Sequence, residues 1–558
     1  MPRNLGCQHL GREGVDIMIE RIIIENYRKF RRLEIEPNSG MNILVGDNET
    51  GKSTVLEAIN LALTGRINGR WAGDEKNPFW FHQPAVAEFF EKFGTKHQVG
   101  PPAIQIELYF TADTDDPDMH RLRGVINSRS EAGTKTDCPG VRLRIQPSDD
   151  FKSEFAEYMK DGPAGILPTE YYECLWTNFD GHSLSRRPKA LGSAFIDSKT
   201  LRSSTGIDYH TRQILDAFLD DKERVKVAIE HRKSRHSLTL GVLADVSKKM
   251  GDDGVDLHDD ALSLAMDQSS RAAWESDVVP QVSDIPFGMS GQGQQAAVKV
   301  ALAMHRSSER ARYVLIEEPE THQSHTSLKR LLVRIDALAG SEQQVFVSTH
   351  SSYVLNRLGL DSLLLLGSSG AVQLTDLTPD TVKYFQHLSG YDTLRLVLGR
   401  RLVLVEGPSD EMVFKRCFKD ETGADTDDAG IDVVSMSGIT FKRALELCAL
   451  LDREVVALQD NDGSDVADIV GDPELAKHLS ETRHMYVGDK SHGHTLEPQL
   501  IDANGVDRMR EVLKLRTQDD PTTWMPNHKT EAALRILASD ETIHFPDYIV
   551  QAVHILNE

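Results

Sequence analysis

The chain is poor in cysteine, lacks long apolar runs and carries no excess of basic charge. Its five cysteines (Cys7, Cys138, Cys174, Cys417 and Cys448) are scattered through 558 residues with no CxxC pair. That fits a reducing compartment and argues against a zinc site. No apolar run approaches the ~18–20 residues needed to span a bilayer, so no membrane partner is expected. The first residues are polar and charged where a signal peptide would need an apolar core. A cytoplasmic location is the expectation. The formal net charge is -23. A simple binder of nucleic-acid phosphates should carry a basic footprint, so this balance counts against one. A metal-dependent nuclease is not excluded, because it gathers carboxylates at its own site. Two local basic stretches stand out, Arg186-Arg187-Pro188-Lys189 and His231-Arg232-Lys233-Ser234-Arg235-His236.

At this length two or three domains are expected, each able to bury a core. Hydrophobic residues make up 39% and charged residues 27%, ordinary for a globular protein. The fold class read from the pattern is α/β. Residues 1–17 read as a flexible extension. Ile19–Ile24 and Met41–Val45 read as strands, Ser53–Thr64 as a helix, and Ile104–Phe110 as another strand. Residues from about 150 to 280 are charged and short of strand signals. They read as an inserted, mainly helical segment, with helix formers around Arg212–Arg235 and Ala261–Trp274. Strands return at Tyr313–Ile316 and Gln344–Ser348. A helical stretch and a loop then lead to a second α/β unit starting at Arg401–Val405. The division is 18–396 for the first domain and 397–558 for the second.

Two sets of residues carry chemistry. The first is Gly46-Asp47-Asn48-Glu49-Thr50-Gly51-Lys52-Ser53, a full G-x-x-x-x-G-K-[ST] match between a strand and a helix. Gly46 and Gly51 permit backbone conformations that a side chain would block, so that N–H groups, including that of Asn48, surround a β-phosphate. Lys52 reaches the β- and γ-phosphates, the Ser53 hydroxyl ligates magnesium, and Thr54 follows in the first helical turn. Val314-Leu315-Ile316-Glu317-Glu318 is an apolar strand ending in two acids. Glu317 is suited to the magnesium shell and Glu318 to orienting or deprotonating the attacking water. Ser290-Gly291-Gln292-Gly293-Gln294-Gln295 precedes a helix and can present a hydroxyl and backbone N–H groups to a γ-phosphate across a dimer interface. His350 ends the strand Val345–Ser348 at the distance where an ATPase places a γ-phosphate sensor. ATP is the expected nucleotide.

The second set begins at Val405-Glu406-Gly407-Pro408-Ser409-Asp410 and is answered by Asp460-Asn461-Asp462. Glu406 ends a strand, and Asp410 lies one turn into the following helix. Asp460 and Asp462 end a neighbouring strand. Four carboxylates on two strand ends can hold a pair of magnesium or manganese ions over a phosphodiester. Ser437, at a further strand end, can approach a metal or phosphate. Ordinary strand-end acids with an Asp-Asn-Asp-Gly turn are the plainer alternative.

The first set resembles the ABC-type ATPase superfamily, in the branch shared by the recombination mediator RecF, the SMC proteins and the OLD-family nucleases. Ile24-Glu25-Asn26-Tyr27-Arg28-Lys29-Phe30 is similar to that branch's first-strand motif. The resemblance implies that Ser290 and Gly291 act in trans, within a homodimer or larger homo-oligomer. The branch usually continues Glu-Pro-Glu with His-Leu-His-Pro. Here Glu318-Pro319-Glu320 is followed by Thr321-His322-Gln323-Ser324-His325, and only His322 matches. Gln105 is a candidate for the branch's Q-loop glutamine. The second set resembles the TOPRIM fold of topoisomerases, primases and OLD nucleases. Thr495-Leu496-Glu497 is similar to the nuclease branch's additional metal-binding glutamate. Asn527-His528-Lys529-Thr530-Glu531 is similar to its terminal lysine motif, which implies that Lys529 stabilises the transition state or leaving group.

Together the resemblances imply an ATP-dependent, metal-dependent DNA endonuclease of the OLD family, with the helical insertion used in dimerisation. That family is associated with anti-phage defence, including Gabija systems with a helicase-like partner. A RecF-type clamp that does not cut DNA is the alternative. A topoisomerase would need a nucleophilic tyrosine in a separate DNA-gate domain, and no segment of that size is left over.

Overall fold

The computed structural model describes residues 17–46, 50–67, 69–111, 117–130, 135–160, 165–196, 219–252, 262–269, 274–282, 284–291, 293–295, 297–298, 312–321, 323–339, 343–359, 362–367, 370–373, 377–387, 395–436 and 440–557. The chain opens with strands β1 (Ile19–Tyr27), β2 (Phe30–Ile35) and β3 (Met41–Val45), then helix α1 (Lys52–Thr64). Strands β4 (Ile104–Phe110), β5 (Cys138–Pro147), β6 (Tyr172–Asn178) and β7 (Ser193–Ile196) follow. Helices α2 (Asp221–Leu240) and α3 (Val242–Asp252) precede β8 (Tyr313–Glu317), α4 (His325–Ala339), β9 (Gln344–Ser348), β10 (Leu363–Gly367) and β11 (Gly370–Gln373). The second unit runs β12 (Arg401–Val405), α5 (Pro408–Thr422), β13 (Ile431–Ser435), α6 (Phe441–Leu450), β14 (Glu454–Gln459) and β15 (Arg483–Val487). It closes with α7 (Leu496–Asn504), α8 (Pro521–Asn527), α9 (Lys529–Leu537) and α10 (Asp547–Asn557).

Three sheets organise these elements. An antiparallel sheet runs β2-β1-β4-β5, with β6 on the far side of β5. A six-stranded sheet runs β7-β8-β9-β3-β10-β11, parallel except for the β10–β11 hairpin. Helix α1 packs between these two sheets, and Val55, Leu56, Ile59 and Leu63 join one core with residues of both. Every residue of β3, β8 and β9 is buried. That is why these strands read as mostly apolar runs without alternation, as expected for a parallel sheet covered on both faces. The third sheet, β13-β12-β14-β15, is parallel throughout. Helix α6 joins the core on one face, and α5, α7, α9 and α10 join that on the other.

The expected strands at Ile19–Ile24, Met41–Val45, Ile104–Phe110, Tyr313–Ile316, Gln344–Ser348 and Arg401–Val405 all lie within observed strands. The segment from about 150 to 280 differs from its reading. It contributes β6 to the antiparallel sheet and β7 to the edge of the six-stranded sheet, where Ala194 aligns with Val314. Helix lies at Asp221–Leu240, opened by a capping box between Asp220 and Glu223, and at Val242–Asp252. Residues 262–269, expected as part of a helix, are not helical. The Leu264 and Met266 N–H groups donate instead to Ser247 Oγ (2.9 Å) and Thr239 Oγ1 (3.0 Å) on α3 and α2. The stretch before Arg401 also contains more strand than expected. Leu363-Leu364-Leu365-Leu366 is a short apolar run, which suits buried strand or buried helix equally. Its place beside β3 makes it strand. Among the described residues no helix is long and apolar enough to cross a membrane.

Candidate functional site

β9 lies between β3 and β8, so the loop after β3 and the acids after β8 open at the same sheet edge. Gly46 leaves β3, and a Cβ there would come within 2.8 Å of the Leu366 carbonyl oxygen. Gly51 caps α1 with φ 98°, and its Cβ would press to 2.5 Å on the Phe30 ring. Both glycines are therefore sterically required. Asp47, Asn48 and Glu49 lie outside the described residues. Lys52 is 5% exposed, and its Nζ donates to the Gly46 carbonyl at 2.9 Å. Ser53 Oγ donates to Glu317, which joins the loop to the acid strand, and Thr54 is buried beside them.

Glu318 has φ 42°, a left-handed conformation rare for a side chain of its size. Its N–H donates to the Ser348 carbonyl at 3.0 Å, which holds the strained turn. His350 Nε2 is 3.8 Å from Glu318 Oε1. Glu320 steadies this edge by accepting from Thr349 Oγ1 (2.7 Å) and from the His350 N–H (2.9 Å). Glu57, one turn along α1 from Ser53, pairs with Arg28 at 2.7 Å and accepts from the Tyr27 hydroxyl. Burial raises its pKa, and Glu317 adds to the rise against the opposing pull of Tyr27 and Arg28. The sequence reading missed both Glu57 and Glu320. An acid four residues after Ser53 on a helix was the available signal for Glu57.

Ser290 is buried and its hydroxyl donates to the Phe287 carbonyl at 2.8 Å. The Gly291 carbonyl accepts from the Gln294 N–H at 2.9 Å, and the Gly293 carbonyl accepts from Gln323 Nε2 at 3.1 Å. This segment is thus tied to the loop that follows the acid pair. Gln292 and His322 lie outside the described residues. Gln105 does not reach this edge. It sits in β4 and donates to Ser128 Oγ (2.8 Å) and Glu107 Oε1 (3.2 Å), so its amide is committed within the antiparallel sheet.

The second set gathers at the C-terminal edge of the third sheet, where open parallel sheets bind ligands. Glu406 follows β12, and its Oε1 accepts the Asp460 N–H at 2.9 Å. Asp410 Oδ2 accepts the Gly407 N–H at 3.1 Å at the start of α5. Asn461 fixes the turn after β14. Its Nδ2 donates to the carbonyls of Gly488 (2.9 Å) and Gly493 (2.8 Å), while its Oδ1 accepts the Gly463 N–H at 2.8 Å. Asp462 adopts φ 47° and its N–H donates to the His494 carbonyl at 3.1 Å. Glu497, 4% exposed at the start of α7, accepts from Thr495 Oγ1 at 2.9 Å. Lys529 Nζ, at the start of α9, lies 3.2 Å from Glu497 Oε2. Ser437 lies outside the described residues.

These acids disturb one another strongly. Asp460 is 8% exposed, and burial, then Asp410, Glu406 and Glu497, push its pKa up to about 8. Burial, with Glu406 and Glu497 behind it, pushes Asp410 up to about 6. Glu406 is raised by burial, with Asp462 adding to the rise and Lys529 opposing it. Tyr548 of α10 was missed in the sequence. Burial raises its pKa first, and the same four carboxylates raise it further. Asp460 Oδ1 is buried without a hydrogen-bond partner. An unpartnered, buried carboxylate oxygen among three other acids suits a hard divalent cation with oxygen ligands. The side chains do not already form a closed cage. Among the described residues no three carboxylates, imidazoles or thiols converge as a ready-made metal site.

Comparison with known proteins finds matches in two separate stretches of the chain. Residues 21–156 match the model of an AAA domain, and residues 398–462 match the model of an "Overcoming lysogenization defect protein-like, TOPRIM domain". The chain joins an AAA-type ATPase domain to an OLD-like TOPRIM domain. Among curated proteins, the "DNA double-strand break repair Rad50 ATPase" of Methanopyrus kandleri is 59% identical over 49 residues, 9% of this chain and 6% of that protein. The "DNA replication and repair protein RecF" of Rickettsia canadensis is 43% identical over 51 residues, 9% of this chain and 14% of that protein. The chain thus spans only a small fraction of the length of these relatives. Among solved structures, an SMC head bound to the C-winged helix domain of ScpA aligns at TM-score 0.32 and 14% identity, covering 60% of this chain and 89% of that one. The C-terminal region of the Burkholderia pseudomallei OLD protein aligns at TM-score 0.23 and 23% identity, covering 29% of this chain and 98% of that one.

Proposed function

We propose that this chain is an ATP-binding and ATP-hydrolysing, divalent-metal-dependent DNA endonuclease of the OLD family. The observation that carries the reading is the acid cluster of the OLD-like TOPRIM domain, where Asp460 Oδ1 is buried and unpartnered among Asp410, Glu406 and Glu497. Two magnesium or manganese ions, when bound there, would stabilise the attacking and leaving oxygens of a phosphodiester. Glu406, Asp410, Asp460, Asp462 and Glu497 are the residues that would hold them. Lys529 turns from Glu497 to the phosphate and offsets charge on the scissile group. In the ATPase domain, Lys52 binds the β- and γ-phosphates and Ser53 and Glu317 take the magnesium shell. Glu318 orients or deprotonates the attacking water, and His350 senses the γ-phosphate. Ser290, Gly291, Gly293 and Gln294 meet the nucleotide of a second copy, so the working form is a homodimer or larger assembly.

The OLD-like character of the TOPRIM domain also supports a role in anti-phage defence, with a helicase-like protein as companion. Short stretches of RecF-like sequence favour one other reading, a DNA-repair clamp that binds ATP and does not cut. Supercoiled plasmid incubated with magnesium or manganese separates the two. Nicked or linear product that disappears with chelator is expected of the nuclease. Unaltered plasmid under all metal conditions would leave the clamp as the better account.

A further inference from the structure

Directly before Lys529 in the chain lies a stacked pair that the proposed chemistry does not use. The rings of Trp524 and His528 are 4.6 Å apart between centroids and only 10° from parallel. The Arg535 guanidinium lies 4.9 Å from the centroid of the same Trp524 ring. His528 Nδ1 is 2.9 Å from the Trp524 carbonyl oxygen. A carbonyl only accepts, so Nδ1 is the donor and the ring plane is fixed by a hydrogen bond as well as by the stack. His528 is nevertheless exposed. One ring face packs against Trp524, which leaves the opposite face as the one able to take a second ring. The next residue is Lys529, whose Nζ reaches Glu497 in the acid cluster. A flat, pre-oriented ring therefore stands one residue from the cation beside the carboxylates.

We propose that His528 is a base-stacking platform for an unpaired nucleobase of the DNA strand that enters the carboxylate cluster. The proposal rests on the nuclease reading for the identity of its ligand. Aromatic side chains in strand-binding grooves take bases by stacking, which is tolerant of sequence because every base has a π-face. The fixed orientation suits this use, since a ring already held in place loses little freedom when a base covers it. The adjacent lysine supplies charge for the backbone of the same nucleotide, while the acids themselves would repel it without a cation. A purely structural i,i+4 stack would give the same geometry between Trp524 and His528. It would give no dependence on the base in the substrate.

The test uses the full chain carrying Asp460→Asn to prevent turnover, with magnesium present. Single-stranded oligonucleotides carry 2-aminopurine at successive positions. Binding should quench the probe at one register. His528→Phe, which keeps an aromatic ring at that position, should retain the quenching and the affinity. His528→Ala should lose the quenching and weaken binding roughly five- to a hundredfold, the range for one stacked base. An abasic nucleotide at that register should weaken the parent and the Phe variant but not the Ala variant. Equal quenching, affinity and abasic response in the Ala and Phe variants would overturn the proposal, even if His528→Ala lowered the melting temperature. Plasmid cleavage by the unmodified chain is scored separately. Ring-dependent quenching without any cleavage would sustain the platform and remove the nuclease reading, whereas cleavage with ring-independent binding would remove the platform alone.

Discussion

Asp460 is the residue on which the proposed chemistry of the second domain turns. Its pKa stands near 8 because it is buried and faces Asp410, Glu406 and Glu497. An unfolded aspartate titrates near 4. A carboxylate raised in the folded state favours folding fully below the unfolded value, and that contribution is lost as pH rises through the folded value. With divalent ions chelated, the protein should therefore lose thermal stability between about pH 4 and pH 8. Asp460→Asn should melt higher than the parent at pH 8, and the gap should close towards pH 5. Added magnesium or manganese should restore the parent at pH 8, because the cations bind only the folded cluster. Melting curves with the same pH slope in both proteins would show that these acids do not strain one another. In the other domain, Glu318 holds a left-handed turn beside His350. Glu318→Gln should bind ATP as the parent does and lose most turnover, since it removes a group that acts on water and leaves the phosphate contacts in place. Hydrolysis at the parent rate would refute that assignment.

At the scale of elements, the two domains share one apolar core. It runs from Ile43 and Leu365 in the six-stranded sheet through Leu377, Phe385 and Leu396 to Leu404, Ala444 and Val455 in the third sheet. Polar contacts cross the same boundary. Glu446 of α6 accepts from the Thr378 N–H (2.7 Å), Thr378 Oγ1 (3.0 Å) and Thr381 Oγ1 (2.6 Å). The Arg443 guanidinium lies 4.2 Å from the Tyr384 ring centroid. Glu446→Ala strands the buried Thr381 hydroxyl and removes two bonds from Thr378, so it should cost about 1–3 kcal/mol of stability. Glu446→Gln should cost less, and a chemical-denaturation series measures both. No loss in the alanine variant would mean that this clasp is slack.

Much of this arrangement was legible in the chain. Buried strands such as Met41–Val45 and Gln344–Ser348 are mostly apolar, and Glu317 and Glu406 follow such runs directly. The strands of the 150–196 region were not legible. Their register comes from pairing with β5 and β8, contacts distant in sequence. The four-leucine strand at Leu363–Leu366 was ambiguous because period alone does not separate short buried strand from helix. Glu57, Glu320 and Tyr548 were missed for a related reason. Glu57 and Glu320 lie just past the phosphate motif and the acid pair, where only folding shows their partners, and Tyr548 enters from α10, which carries no metal pattern of its own.

For the whole molecule, the account requires two copies. Ser290 and Gly291 are turned to Phe287, Gln294 and Gln295 within their own chain, and the proposed chemistry gives them the nucleotide of a neighbour. Solution mass at micromolar protein should correspond to a dimer or larger assembly, at least with ATP. A strict monomer with and without ATP would contradict this.

The central claim is that one chain carries two separable catalytic sites, and Asp460→Ala tests it most directly. Purified parent and variant are compared on supercoiled plasmid with magnesium or manganese, and in parallel on ATP hydrolysis. The account predicts that the variant loses plasmid cleavage and keeps ATP turnover close to the parent rate. Cleavage by the variant at the parent rate would place the nuclease centre elsewhere and contradict the account.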